Sequence, residues 1–155
     1  MWDTAFSLTN AVAMLGWAVL AFAPRTEFTR RLVLLVPIAL LCLAYAVMLI
    51  GLSGGWLDGE GQAGGLGDLM SNYSVDGLMG LFQSRGGIVV GWTHYLAFDL
   101  FVGWWIAGDA DKRGLPRWRQ VPVLFLTLMA GPLGLLTYLV WTSLRGGEAD
   151  AEYRG

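Results

Sequence analysis

Four stretches of the chain are each long and apolar enough to cross a lipid bilayer as a helix, and they constrain the fold most strongly. They cover roughly residues 5–23, 32–52, 88–107 and 121–144. A transmembrane helix needs about 20 mainly apolar residues. The 155 residues are 55% hydrophobic and only 14% charged, which is too apolar for a water-soluble domain of this size. The sequence therefore predicts an all-α membrane protein, a single domain over 1–155 built as a four-transmembrane-helix bundle.

The basic residues predict how this bundle is oriented. Seven lie in the two short connections and three on the opposite side: Arg25, Arg30, Arg31, Lys112, Arg113, Arg117 and Arg119, against Arg85, Arg145 and Arg154. By the positive-inside rule we expect the short basic loops inside the cytoplasm, with both termini and the long loop outside it. No basic patch carries the interleaved aromatic residues of a nucleic-acid site, so we expect no nucleic-acid partner.

The long loop, residues 53–87, is rich in glycine, and its first half is typical of a flexible linker. In its second half Val75, Leu78, Met79 and Phe82 recur at helical spacing. This pattern predicts a short helix lying in the membrane interface.

Two ionisable residues, His94 and Asp99, lie inside the third predicted span. Each costs roughly 2.5–3.5 kcal/mol at bilayer depth on insertion scales, so such groups usually face a protein interior and are functional. Positions five apart on a helix diverge by about 140°, so the two side chains could flank a substrate in a shared pocket. Tyr95, four residues before Asp99, is its better neighbour on the same face. The catalytic candidates are His94, Asp99 and Tyr95.

All four predicted spans place a polar residue at a similar depth. Counted from the outer end of each span, Asn10, Tyr45, His94 and Tyr138 lie at one level. Ordinary hydrogen bonding between membrane helices is the alternative explanation. The candidates for substrate binding, chosen from this level and from the deeper aromatic and helix-breaking positions, are Asn10, Tyr45, Trp92, Phe98, Trp105, Tyr138 and Pro132.

The fourth span is interrupted by Gly131-Pro132-Leu133-Gly134 near its middle. The proline removes one backbone donor and leaves the carbonyl group of Leu128 free, which predicts a kink. A protonated Asp99 at similar depth could satisfy that carbonyl, and close helix packing at the glycines is the alternative.

Metal and cofactor chemistry has little support in the sequence. One histidine and the lone Cys42 cannot form a His- or Cys-rich zinc centre, so we expect no metal and no cofactor. A haem held by His94 is the alternative, because one axial histidine suffices. Asp109 and Asp111 are interpreted as a solvated helix end balanced by Lys112 and Arg113.

Several of these residues form a recognisable pattern. Trp92-x-His94-x-x-Ala97-x-Asp99-Leu100-Phe101, followed by Asp109, a proline-led fourth helix and Gly131-Pro132-x-Gly134, resembles the abscisic-acid-deficient-four-like membrane family. Asn10, Trp17 and Pro24 fit the same pattern, and the resemblance covers nearly the whole chain. With no plastid transit peptide evident before the first span, we expect a bacterial member located in the inner membrane.

The resemblance implies chemistry on carotenoids, since plant members of the family are implicated in converting the epoxy-carotenoid violaxanthin into the allenic neoxanthin. That isomerisation needs an acid for the epoxide oxygen and a base for a carbon-bound proton. The resemblance thus implies an isomerase acting on a carotenoid or related isoprenoid through Asp99 and His94, with Tyr95 or Tyr138 orienting the oxygen.

Other functions stay open at this point. A non-catalytic carotenoid-binding or accessory membrane protein is the main alternative, and a small proton or solute transporter is a third. In each of the first two cases the expected ligand is a lipid or carotenoid-like molecule. A bundle this small could pair as a homodimer to enclose a long ligand.

Overall fold

The computed structural model describes residues 1–61, 71 and 73–152, with side chains up to residue 144. Every regular element in this part of the chain is helical. We label the α-helices α1 (Trp2–Phe22), α2 (Glu27–Val33), α3 (Ala39–Ser53), α4 (Val75–Leu81), α5 (Arg85–Lys112), α6 (Arg117–Met129) and α7 (Gly131–Glu152); the π-helical turn Leu34–Ile38 joins α2 to α3. The predicted all-α fold class is confirmed.

The first two predicted spans correspond to two long apolar helices. The first is α1, and the second is the continuous run Glu27–Ser53 formed by α2, the π-helical turn and α3. Thr26 caps this run by accepting a hydrogen bond from the amide of Thr29 at 3.1 Å. Pro37, which has no amide hydrogen to donate, lies within the π-helical turn, where the regular hydrogen-bond ladder is already interrupted.

Helix α5 is the centre of the bundle and packs against α1, α3 and α6. Ser84 caps its first turn, accepting from the amide of Gly87 at 2.9 Å. Gly103 allows close approach to α1, because a Cβ atom there would collide with the ring of Trp17. The whole third predicted span lies inside this helix.

The predicted single helix over 121–144 is wrong. The chain breaks at Ala130, whose φ of −157° and ψ of 77° are not helical. The Ala130 carbonyl group then accepts the first hydrogen bonds of α7, from the amides of Leu133 at 2.9 Å and Gly134 at 3.0 Å. Pro132 fits this first turn because its missing amide hydrogen has no helical partner there. The break falls where the sequence predicts a kink, but one helix ends there and a new helix begins.

Helices α6 and α7 form a hairpin. Gly134 lies against the backbone of Thr127, seven residues earlier, so the chain has reversed direction between them. Gly131 lies beside Asp99, whereas Tyr138 reaches Asp109 further along α5. Helix α7 therefore runs in the same direction as α5. From there α7 continues past Asp109 towards the Asp111 end of the bundle, away from Trp2, so within the described residues the chain does not return to the side of Trp2 that was predicted for both termini.

The surface of the bundle suits contact with lipid. Large apolar side chains point outward on several helices, among them Leu15, Leu35, Leu43, Phe125 and Leu136. Exposed apolar surface on this scale marks a membrane or a partner protein. Within the described ranges, two helices, Trp2–Phe22 and Glu27–Ser53, are long and apolar enough to cross a membrane. These features indicate membrane association.

A short helix is present where the glycine-rich loop is predicted to form one. It is α4, capped by Ser74, whose hydroxyl accepts from the amide of Gly77 at 3.2 Å. All of its residues are at least partly exposed. Residues 62–70 and 72 of the loop lie outside the described part of the chain.

Candidate functional site

The carboxyl group of Asp99 is buried where the α6–α7 hairpin turns. The residue is 6% exposed. Its carboxyl group lies against the backbone of Gly131, the first residue of α7, and interacts with that backbone. A carboxylate is favourable at a helix N-terminus, because the amide groups there are unpaired and the helix dipole is positive. Its second oxygen, Oδ2, is buried without a hydrogen-bond partner among the described residues.

Tyr95 lies one helical turn before Asp99 and beside it. Its hydroxyl group donates to the carbonyl oxygen of Met129, the last residue of α6, at 3.0 Å. The same hydroxyl also interacts with the Asp99 carboxyl group. The four-residue spacing thus places the two groups on one face of α5, as the sequence predicts. Tyr95 thus contacts the last residue of α6, and Asp99 contacts the first residue of α7.

His94 lies on a different side of α5. The residue is exposed, and its ring packs between Tyr45, with centroids 5.4 Å apart, and Phe98, at 4.6 Å. The expectation that His94 and Asp99 face one pocket is therefore wrong. The reason is the five-residue spacing, which turns the two side chains apart by about 140°. No helix in the described part of the chain forms a pocket that both side chains line.

Asn10 and Trp92 extend the Asp99 side of the bundle. The indole Nε1 of Trp92 donates to Oδ1 of Asn10 at 3.2 Å. The Trp92 ring stacks on Tyr95 with centroids 5.4 Å apart and an interplanar angle of 28°. Asn10, Trp92, Tyr95 and Asp99 thus form a continuous strip along α1 and α5, which we call the Asp99 strip. Tyr45 and Phe98 belong to the His94 side instead.

Tyr138 and Trp105 do not join the predicted polar layer. Tyr138 is 1% exposed and donates to Oδ2 of Asp109 at 2.6 Å, near the Asp111 end of the bundle. Trp105 packs edge-on against the Tyr138 ring, with centroids 6.0 Å apart. The predicted level of Tyr138 is wrong because the chain reverses at Ala130, so that α7 runs parallel to α5 and carries Tyr138 to the level of Asp109. Pro132, in contrast, lies at the hairpin turn next to the Asp99 strip.

The acidic residues at the Asp111 end are more than a solvated helix end. The hydrogen bond from Tyr138, followed by interactions with Arg113, holds the pKa of Asp109 below its usual range. Asp111 pairs with Arg25 at 3.2 Å and accepts from Nε2 of Gln120 at 2.9 Å. The sequence pattern did not predict this cluster. One signal in the sequence points to it. Arg25 directly follows Pro24 at the end of the first apolar span, where an arginine is expected to pair with an acidic residue at the end of another helix.

Metal-binding side chains are scattered in the described part of the chain. Its residues contain no group of three or more His, Cys, Asp or Glu side chains placed to hold an ion.

These features define a small helical membrane-type protein with a buried carboxyl group at a broken helical hairpin. The model of the ABA DEFICIENT 4-like (ABA4-like) family matches residues 4–138, and the chain belongs to this family. The resemblance seen in the sequence is thereby confirmed. No curated protein and no solved structure matches the chain.

Proposed function

We propose that this protein is a membrane-embedded isomerase of carotenoids or related isoprenoids, similar in role to a neoxanthin synthase. Membership of the ABA4-like family supports the substrate class. The observation that carries the proposal is the buried Asp99 carboxyl group, which has one unpartnered oxygen and a phenol hydroxyl beside it. Buried carboxyl groups without a charge partner are costly, and they are typical of sites that handle protons.

The proposed chemistry needs one proton to be delivered and one to be removed. The carboxylic acid of Asp99 protonates the epoxide oxygen as the carbon–oxygen bond breaks. A carbon-bound proton next to the opened centre then leaves, its bonding electrons form the new double bond, and the carboxylate takes up this proton. The substrate gains a hydroxyl group without any net oxidation, and Asp99 returns to its starting state. In this scheme Tyr95 orients the oxygen.

His94 takes a different part in this proposal than in the sequence prediction. Because His94 lies on a different side of α5 from Asp99, this scheme assigns it no proton transfer. Its exposed ring, with Tyr45 and Phe98, provides an aromatic surface against which a polyene could lie. A catalytic role of His94 remains a prediction.

The proposed location is a bacterial inner membrane. The end of the bundle with Trp2 then faces away from the cytoplasm, and the Asp111 end faces it. The hairpin strengthens this orientation, because it moves Arg145 to the end that already holds the seven basic residues of the short connections. Arg85 remains at the opposite end.

A binding or accessory role is the second candidate, and one observation favours it. Asp99 lies at the N-terminus of α7, so its burial has a structural explanation that needs no catalysis. Under this alternative the protein holds a carotenoid without converting it, and substitutions change pigment retention alone.

The test compares pigments in a violaxanthin-producing host that expresses the wild type, Asp99→Asn, Tyr95→Phe or His94→Ala. The amide oxygen introduced by Asp99→Asn can still accept from the Gly131 backbone, so the fold should be retained while proton transfer is lost. We expect wild type to form an isomerised product by chromatography, Asp99→Asn to form none, Tyr95→Phe to form less, and His94→Ala to keep most of it. Equal product from Asp99→Asn, at equal protein level, would refute the catalytic proposal. Bound but unaltered pigment in the wild type would support the accessory role.

A further inference from the structure

A groove of about 300 Å³ runs between α1 and α6, away from the Asp99 carboxyl group. Its walls are almost wholly apolar and include Met14 and Ala18 on one side and Val121, Phe125 and Leu128 on the other. From Arg117 to Leu128 helix α6 rises about 16 Å, which is close to half of a bilayer's hydrocarbon core. The groove therefore has the length of one acyl chain within one leaflet.

Two arginines close the groove at the Asp111 end. Arg25 pairs with Asp111 at 3.2 Å, yet its Nε is buried without a hydrogen-bond partner in the described part of the chain. Arg117 donates to the carbonyl oxygen of Ala23. No carboxylate among residues 1–61, 71 and 73–144 forms an ion pair with Arg117. The mouth of the groove thus carries the uncompensated positive charge of Arg117, next to the Arg25–Asp111 pair.

The surrounding charge favours the same kind of ligand. The connections at this end contribute seven basic residues, against the three acidic residues Glu27, Asp109 and Asp111. The end of α7 adds Arg145 together with Glu148, Asp150 and Glu152, which leaves a smaller surplus of eight basic over six acidic residues. Such a surplus is attracted to the anionic lipids of a cytoplasmic leaflet, at about 1 kcal/mol for each basic residue near the surface. A lipid without net charge would not neutralise this positive charge.

We propose that this groove is a binding site for an anionic phospholipid. The phosphate group lies against the Arg117 guanidinium, beside Arg25, and one acyl chain follows the apolar walls towards Leu128. Arg117 is the main determinant of headgroup selectivity, because the charge of Arg25 is shared with Asp111. The site is independent of any chemistry at Asp99.

The experiment uses the full-length protein purified in mild detergent and exposed to equal amounts of phosphatidylglycerol and phosphatidylcholine. Native mass spectrometry then measures the lipid that stays bound. We expect wild type to prefer phosphatidylglycerol, and Arg117→Gln to lose about fivefold in its retention, the effect of one basic residue at the surface. Arg119→Gln is the matched control, since Arg119 lies on the same helix but stacks on Trp118. Arg119 does not line the groove, so its variant should lose clearly less phosphatidylglycerol than Arg117→Gln.

A second variant tests the acyl chain separately from the headgroup. Ala18→Trp fills the groove without changing its charge and should lower retention of phosphatidylglycerol. Leu43→Trp, on the outer face of α3, is its control and should not. Equal binding of the two lipids by wild type, or equal loss in Arg117→Gln and Arg119→Gln, would overturn the proposal. If Ala18→Trp retained phosphatidylglycerol as wild type does, no acyl chain would occupy the groove. The arginines would then bind a phosphate group alone, and the proposal of a lipid site would be overturned.

Discussion

The hydroxyl group of Tyr138 donates a hydrogen bond to Oδ2 of Asp109 across 2.6 Å. This contact fixes the direction of α7, because Gly131, seven residues earlier, lies beside Asp99 on the same neighbouring helix. A fourth helix crossing the membrane in the opposite sense to α5 could not make both contacts. The hairpin therefore decides where the site lies and on which side the chain leaves the bundle.

The first prediction concerns topology. In a Cys42→Ser background, single cysteines replace Trp56, Lys112 and Gly147, and membrane-impermeant maleimide is applied to vesicles of known orientation. We expect the cysteines at 112 and 147 to be labelled from one side and that at 56 from the other. Labelling of positions 56 and 147 from the same side would contradict the hairpin.

The second prediction concerns the contact at the hairpin turn. Gly131→Ala should destabilise the protein by about 1–3 kcal/mol, because the added methyl group collides with the Asp99 carboxyl group. Gly80→Ala in α4 is the control, since a Cβ atom there meets open space. Thermal unfolding in detergent measures both variants. If the two are equally stable, Asp99 is not packed against α7.

The third prediction concerns pH. The Tyr138 hydrogen bond lowers the folded-state pKa of Asp109, so its stabilisation is present above the ordinary aspartate pKa of about 3.9 and is lost as pH falls through the folded value. Tyr138→Phe should therefore be less stable than wild type at neutral pH, and the difference should shrink below about pH 4. Unfolding midpoints between pH 3 and pH 7 measure this, with the exposed Tyr73→Phe as control. A difference that is constant with pH would assign the effect to packing alone.

The fourth prediction concerns the connection after α3. Trp2 is 1% exposed, and its Nε1 donates to the carbonyl oxygen of Asp58 at 2.8 Å. Trp2→Phe should cost about 1–3 kcal/mol, because the Asp58 carbonyl group loses its partner. Limited proteolysis within residues 54–61 should become faster. The exposed Trp56→Phe should cleave at the wild-type rate, and an equal rate in Trp2→Phe would show that this bond does not restrain the loop.

Local features of the site could be predicted well from the sequence. The positions of Tyr95 and Asp99 on one helical face follow from their four-residue spacing, and an interruption of the helix near Pro132 follows from the missing amide hydrogen of the proline, although the helix breaks at Ala130. The angle between His94 and Asp99 also follows from spacing, but the shared pocket expected from it is wrong, because the two side chains lie against different neighbours. Which helix covers each side does not follow from spacing, because helices that are apolar nearly all round give no signal for their partners.

By itself, the sequence determined that the chain is helical, that its long apolar segments suit a membrane, and where the last of them is interrupted. Only the tertiary structure decided that the interruption is a reversal, that Tyr138 reaches Asp109, and that Arg25 pairs with Asp111. The physical reason is range. Helix formation and helix breaking depend on hydrogen bonds between residues about four apart, whereas the direction of α7 depends on contacts with α5 that lie some thirty residues away along the chain.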